Sequence, residues 1–218
     1  MIRTLDGLLG YAIHAQDGDL GKVHDFYFDD DTWTVRWIVV ETGGWLRRKR
    51  VLISPVALEG HDWNNRKIPV KLTKEQVAKA PNVDTDRPVS RQHELSMNLH
   101  YGWPPYWMME PFLLTHAGAL KASVLTGEGG DPHLRSFREV SSYHVEISGE
   151  HVGFVEDMLL DDENLQIRSI VVLRGEWIPR GSVVVDRHGV RRISWVSKLV
   201  ELQSGVLDAP VEFNAKRA

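Results

Sequence analysis

The chain has 218 residues, of which 42% are apolar and 26% charged, and a net charge of −4. That is the composition of a soluble globular protein of one or two domains, and its slight acidity supplies no global field to attract nucleic acid or an anionic membrane. There is no cysteine, which excludes disulfides, a thiol nucleophile and thiolate-held zinc or iron–sulfur centres.

In chain order, the opening MIRTLDGLLGYAIHAQDG lacks the apolar core and small-residue cleavage site of a secretory signal. Tyr11–Ala15 reads as a strand and Gln16–Asp19 as a turn. Leu20–Phe28 is a second strand: Leu20, Lys22, His24, Phe26 and Phe28 share one face, Gly21, Val23, Asp25 and Tyr27 the other, because side chains alternate across a strand. Asp29–Asp31 is the next turn, its short carboxylates suited to bond nearby backbone N–H groups. Thr34–Glu41 is rich in β-branched and aromatic residues and is expected to be a central strand. Gly43-Gly44 permits the following turn, and Arg50–Ser54 and Lys67–Leu72 complete the set. Thr73 and Gln76 then form a capping box that predicts a short helix reaching about Ala80 and ending before Pro81.

The same order recurs 132 residues later. Tyr11–Trp63 aligns with Tyr143–Trp195 without a gap, and 15 of the 53 columns are identical. Gly21, Val23 and Asp25 fall on Gly153, Val155 and Asp157; Asp29 and Asp30 on Asp161 and Asp162; Arg36 and Ile38–Val40 on Arg168 and Ile170–Val172. A period this long marks a duplicated domain, since solenoid units run ~20–50 residues. The expected organisation is a first copy over 1–83, a connector over 84–132, a second copy over 133–211 and a frayed tail over 212–218. Val23, Ile38, Val40, Val155, Ile170 and Val172 are the expected core, and Asp25 and Asp157 are expected to be partly buried and hydrogen-bonded.

The connector has no internal counterpart. Part of 89–99 is expected to be helical, and the run His100–Trp107 follows. The candidate interface is Tyr101, Trp103, Tyr106, Trp107, Met108 and Phe112, stiffened by Pro104-Pro105. Aromatic and Met residues are enriched at interfaces. The cluster either packs between the two copies, within one chain or across a homodimer, or docks a protein partner. The most apolar stretch, Trp107–Leu125, is interrupted by Glu110, His116 and Lys121, so no membrane span is expected and the expected location is cytoplasmic.

These features resemble the PRC-barrel family: the Gly21-x-Val23-x-Asp25 strand, the Asp29-Asp30 turn, Arg36-Trp37-Ile38-Val39-Val40 and Val51-Leu52-Ile53-Ser54-Pro55. The connector, with Arg91-Gln92-His93-Glu94, Tyr101-Gly102-Trp103-Pro104-Pro105-Tyr106-Trp107 and then Asp131–Ser136, is similar to that of a two-barrel bacterial subgroup. The fold is shared by the cytoplasmic domain of the photosynthetic reaction-centre H subunit and the C-terminal domain of the ribosome maturation factor. The resemblance implies a mainly all-β protein of two tandem antiparallel β-barrels with short helices, acting as a non-enzymatic binding or scaffold protein.

Residue by residue, no catalytic, cofactor or metal site is expected. The ten histidines lack a paired ligand motif such as HExxH, and no GxSxG, Walker A or GxGxxG pattern is present. Asp29–Asp31 and its counterpart Asp161–Glu163 read as solvated turns rather than cation sites. Arg47–Arg50 reads as a solvated tip, although four adjacent cations could hold phosphates. The alternatives are therefore an RNA-processing or ribosome-associated factor and, further off, a small-ligand or metal-dependent enzyme.

Overall fold

The computed structural model describes residues 1–60, 62, 65–81, 91–106, 134–174, 181–207 and 211–212. They divide into two compact units that do not coincide with the two sequence copies. One comprises 1–9, 25–36 and 135–218; the other 10–24 and 37–134. No helix among the described residues is long and apolar enough to cross a membrane.

The second of these units contains β2 (Ala12–Ala15), the first half of β3 (Gly18–Asp29), most of β4 (Thr34–Thr42), β5 (Arg50–Ile53), β6 (Lys67–Pro69), α2 (Lys74–Ala78) and α3 (Arg91–Tyr101). The strands run in the order β6-β2-β3-β4-β5. Ile38 and Val40 are buried, as are Val23, Ile13 and Ile68. α2 starts on the expected capping box: the Thr73 hydroxyl accepts the Gln76 N–H while the Gln76 side chain accepts the Thr73 N–H. One pairing differs from the antiparallel expectation. β2 and β6 are parallel, Ala12 facing Lys67, which the long intervening chain permits.

Gly21 marks a close approach of β3 to β4. A Cβ placed there would stand 2.1 Å from the Glu41 carbonyl oxygen; at Gly153 it would stand 2.1 Å from that of Leu173, with φ at +155°. The glycine shared by the two copies is thus a steric requirement of the strand crossing.

The first unit holds β1 (Ile2–Thr4), α1 (Leu5–Leu8), the distal hairpin formed by the end of β3 and the start of β4, then β7 (Leu134–Ser136), α4 (Phe137–Val140), β8 (His144–Ile147), β9 (Glu150–Asp161), β10 (Gln166–Arg174), β11 (Ser182–Asp186), β12 (Val190–Ser194), β13 (Leu199–Leu202) and β14 (Val211–Glu212). β12-β13-β8-β9-β10 are consecutive neighbours, β11 adds to β10, and β14 to β11. β8 and β13 form the second parallel pair, His144 facing Leu199. The pairings among the described residues leave the sheet open. Val155, Ile170 and Val172 are buried.

The organising feature of this unit is an exchange. β1 pairs with β9, Arg3 facing Leu160, and β7, its sequence counterpart, pairs with β3. The helix that follows each short strand aims its N-terminus at an aspartate of the other copy. Asp157 accepts the Asp6 N–H at 3.1 Å and the Met158 N–H at 2.7 Å. Asp25 accepts the Arg138 N–H at 3.0 Å, the Phe26 N–H at 2.7 Å and the Ser136 hydroxyl at 2.5 Å. Both aspartates are buried as expected. The hairpin tips cross-pair as well: the Val35 N–H donates to the Leu165 carbonyl and the Ile167 N–H to that of Trp33.

This exchange corrects two expectations. Strand alternation fails at Asp25–Phe28, where four consecutive residues are buried, because the distal hairpin is covered on both faces. The acidic turns are not simply solvated. Asp29 does bond the Asp31 and Thr32 N–H groups, but Asp30 is paired with Arg135 Nε at 2.7 Å and Asp162 with Arg3 Nε at 2.9 Å, both carboxylates almost fully buried. Arg36 and Arg168 reach back to Asp29 and Asp161 of their own hairpins.

Candidate functional site

The connector's described part forms a small polar and aromatic assembly on α3. Glu94, Met97 and Asn98 are buried and Tyr101 half-buried, the i, i+3, i+4, i+7 spacing of one helix face. The helix closes on a Schellman turn. Gly102 takes φ +70°, its N–H bonds the Leu99 carbonyl and the Trp103 N–H bonds that of Asn98; Pro104-Pro105 then prevents the helix from resuming. His100 lies in the last turn, and its Nε2 is 2.8 Å from the Gln76 carbonyl oxygen.

The turn folds Trp103 back on its own helix. Its ring stacks on Tyr101 with centroids 4.3 Å apart and planes 19° from parallel, and it lies 6.4 Å from the ring of Trp37. Trp37, buried in β4, donates its indole N–H to Glu94 Oε2 at 2.6 Å. The helix is therefore tied to the sheet by a short hydrogen bond inside the core. The Tyr101 hydroxyl and the Asn98 Nδ2 are buried without a hydrogen-bond partner, and burial holds the Tyr101 phenol well above its ordinary pKa. A phenol so held stays neutral near pH 7 and is not poised for proton transfer.

Two leucines of the helix are exposed: Leu99 at 73% and Leu95 at 36%. α3 thus buries a glutamate and an asparagine and offers two leucines, at i and i+4, to its surroundings.

Of the six residues expected at the interface, Tyr101 and Trp103 are brought together, Tyr106 is half-buried, and Trp107, Met108 and Phe112 lie outside the described residues. The sequence reading missed Glu94, Asn98, Leu95 and Leu99. Their i, i+4 spacing was the available signal, but it shows only once one face is known to be covered.

At the tip of the β4–β5 hairpin, Arg47 and Arg48 are exposed, both with positive φ, as the solvated-tip reading expects. Lys49 is tied to the Ala80 carbonyl. Trp45, Leu46, Arg47 and Lys49 line an open hollow of about 570 Å³, and Lys74 Nζ lies 5.9 Å from the centre of the Trp45 ring.

Residues 8–77 match the family model of the PRC-barrel domain; the chain therefore carries a PRC-barrel domain in its first copy. No curated protein matches the chain.

Proposed function

We propose that this chain is a non-enzymatic binding or scaffold protein whose connector docks another protein. One observation carries the reading: α3 buries Glu94 and Asn98 beside Met97 and leaves Leu95 and Leu99 exposed. A helix normally turns its apolar stripe to the core. Here the inward face is fixed by the Trp37–Glu94 bond, which leaves the leucines for a groove on a partner, the helix-in-groove mode of recognition. The PRC-barrel match supports a module that joins proteins.

A photo-crosslinking residue at Leu99 tests this in the native cell. Leu99 should give a discrete adduct that Leu95→Glu abolishes, and a crosslinker at the exposed Asp31 should give none. Equal labelling at both positions, or an adduct unaffected by Leu95→Glu, would refute the docking role.

The second reading, an RNA- or ribosome-associated factor, rests on the Trp45 hollow with its exposed Arg47 and Arg48. The exposed Arg47 and Arg48 beside an aromatic face suit a phosphate chain and a base. Changing Arg47–Arg50 to Gln should leave RNA binding weak and nonspecific at physiological salt. If the parent holds one RNA tightly and the variant does not, this second reading replaces the first.

A further inference from the structure

The two copies differ most where their strands should look alike, on the outer face of the sheet. In the second copy a row runs in register across four strands: Leu199 faces His144, His144 faces Phe154, and Phe154 faces Leu173. The same positions in the first copy are Lys67, Ala12, Lys22 and Glu41, an ordinary solvated set. Phe154 is 40% exposed and Leu173 43%, and the adjoining β12–β13 turn adds Trp195 at 46% and Val196 at 88%. Together these four expose on the order of 400 Å² of side chain, the size of the largest patch on many monomers and about half of the ~800 Å² each partner covers in a stable interface.

Two imidazoles stand in this patch. His144 on β8 and His151 on β9 have ring centroids 5.2 Å apart, with planes 60° from parallel. Phe154 backs both, at 4.8 and 5.0 Å. Position 151 corresponds to Asp19 and position 144 to Ala12, so the first copy has no such pair. The separation carries chemical meaning. A zinc–nitrogen bond of about 2.0–2.1 Å puts a ring centre about 3.2 Å from the metal, and two such rings at the tetrahedral angle are about 5.2 Å apart. The Phe154 ring, in contact with both, would hold the imidazoles in orientation, as the shell around a metal centre does.

A tetrahedral metal needs four ligands. Among the described residues no third His, Asp or Glu joins the pair. We propose that His144 and His151 form one half of a four-imidazole site for a zinc-like divalent cation, completed by the same pair from a second copy of the chain. Imidazole nitrogen selects this class of metal over calcium or magnesium, which take oxygen ligands. The occupant is a second copy because a twofold axis through the metal repeats the histidine pair and lays one apolar row on the other, the self-complementary arrangement of an isologous dimer.

The test is sedimentation velocity of the untagged full-length chain with zinc chloride or with EDTA, together with calorimetric stoichiometry. Zinc should double the mass at one ion per two chains, and EDTA should return the monomer. His144→Ala or His151→Ala removes two of the four ligands and should raise the zinc concentration needed for association by at least about tenfold. Phe154→Lys with Leu173→Glu, which installs the first copy's own residues, should weaken the dimer while circular dichroism shows an unchanged fold. Three results overturn the proposal: no mass change with zinc, doubling that persists in EDTA or in the histidine variants, or one zinc bound per chain without a change of mass.

Discussion

Asp157 offers the sharpest test of the exchange. Its carboxyl is buried, and burial pushes its pKa up to about 6 against the bonds from the Asp6 and Met158 N–H groups, from an ordinary 3.8. Above about pH 6 both folded and unfolded chains carry the charge, and the native state bears the cost of burying it. Between about pH 6 and 4 the native state holds a proton that the unfolded chain has released, so this residue's contribution to stability rises as pH falls through that window. A shift of about two units corresponds to about 3 kcal/mol. Asp157→Asn keeps a carbonyl oxygen for the two backbone donors but cannot titrate. Urea melts of parent and variant should show the variant's advantage largest near neutral pH and shrinking by about 3 kcal/mol towards pH 4. The difference between the two chains is the informative quantity, because Asp161 and Asp162 titrate in both. Those two are held below the usual range, Asp161 by its bond from Arg168 first, and Asp162 in net by Met1 and Arg3 against its burial, and they work in the opposite sense, losing stabilisation as pH falls. Parallel pH profiles for parent and variant would refute the placement of a buried, proton-hungry carboxylate at the α1 N-terminus.

Gly153→Ala should destabilise the fold by at least about 2 kcal/mol, since its Cβ would meet the Leu173 carbonyl oxygen at 2.1 Å and its φ is +155°; a denaturant midpoint equal to the parent's would contradict the strand crossing. Arg135→Met removes the ion pair at the buried Asp30 carboxylate and should cost about 2 kcal/mol, read from urea melts, with much less further loss in the Arg135→Met, Asp30→Asn double variant. Trp103→Ala should speed proteolysis within 84–132 while leaving the β-sheet circular dichroism intact, whereas Trp37→Phe, which removes the indole donor to Glu94, should lower global stability as well. The fragment 1–83 should not fold as a stable monomer, because Asp25 would lose Ser136 and Arg138; a monomeric, cooperatively melting fragment would show the exchange to be dispensable.

What could be read in the sequence was what period and propensity encode. The strands, the Thr73 capping box and the core positions follow from alternation and local chemistry, and the duplication guaranteed that each element would recur. The burial of Asp25 and Asp157 was legible from their place behind a valine on an inward face. The identity of their partners was not, since Ser136 and Arg138 are 111 and 113 residues from Asp25 and no local signal joins them. Arg3-Thr4-Leu5 does parallel Arg135-Ser136-Phe137, but three columns are too few to extend the alignment without knowing that both segments pair with a strand. The His144–His151 pair was hidden differently. Metal motifs on helices show as fixed short spacings, whereas this pair is brought together across the β8–β9 hairpin, where loop length and the bulge between Val145 and Glu146 set which residues meet. On α3 the difficulty was one of sign: Leu95 and Leu99 look like core until Trp37 is seen to claim Glu94.

The exchange also accounts for which residues the two copies kept in common. Gly21 and Gly153 serve the strand crossing, Arg36 and Arg168 brace their own hairpins, and Asp25, Asp30, Asp157 and Asp162 receive the other copy's N-terminal segment. A single copy presents an aspartate at the sheet with no helix N-terminus to meet it, and a short strand with no neighbour. Burying either alone carries the cost of an unpaired charge or of unmatched backbone groups. Two copies on one chain cancel both costs at once, and they do so without the concentration dependence that separate subunits would carry. The shared columns are thereby used by the fold. The columns the copies do not share include the α3 connector, which has no counterpart, and the outer row, where Lys22 and Glu41 align with Phe154 and Leu173. The two docking surfaces proposed above fall where the copies diverge rather than where they are identical.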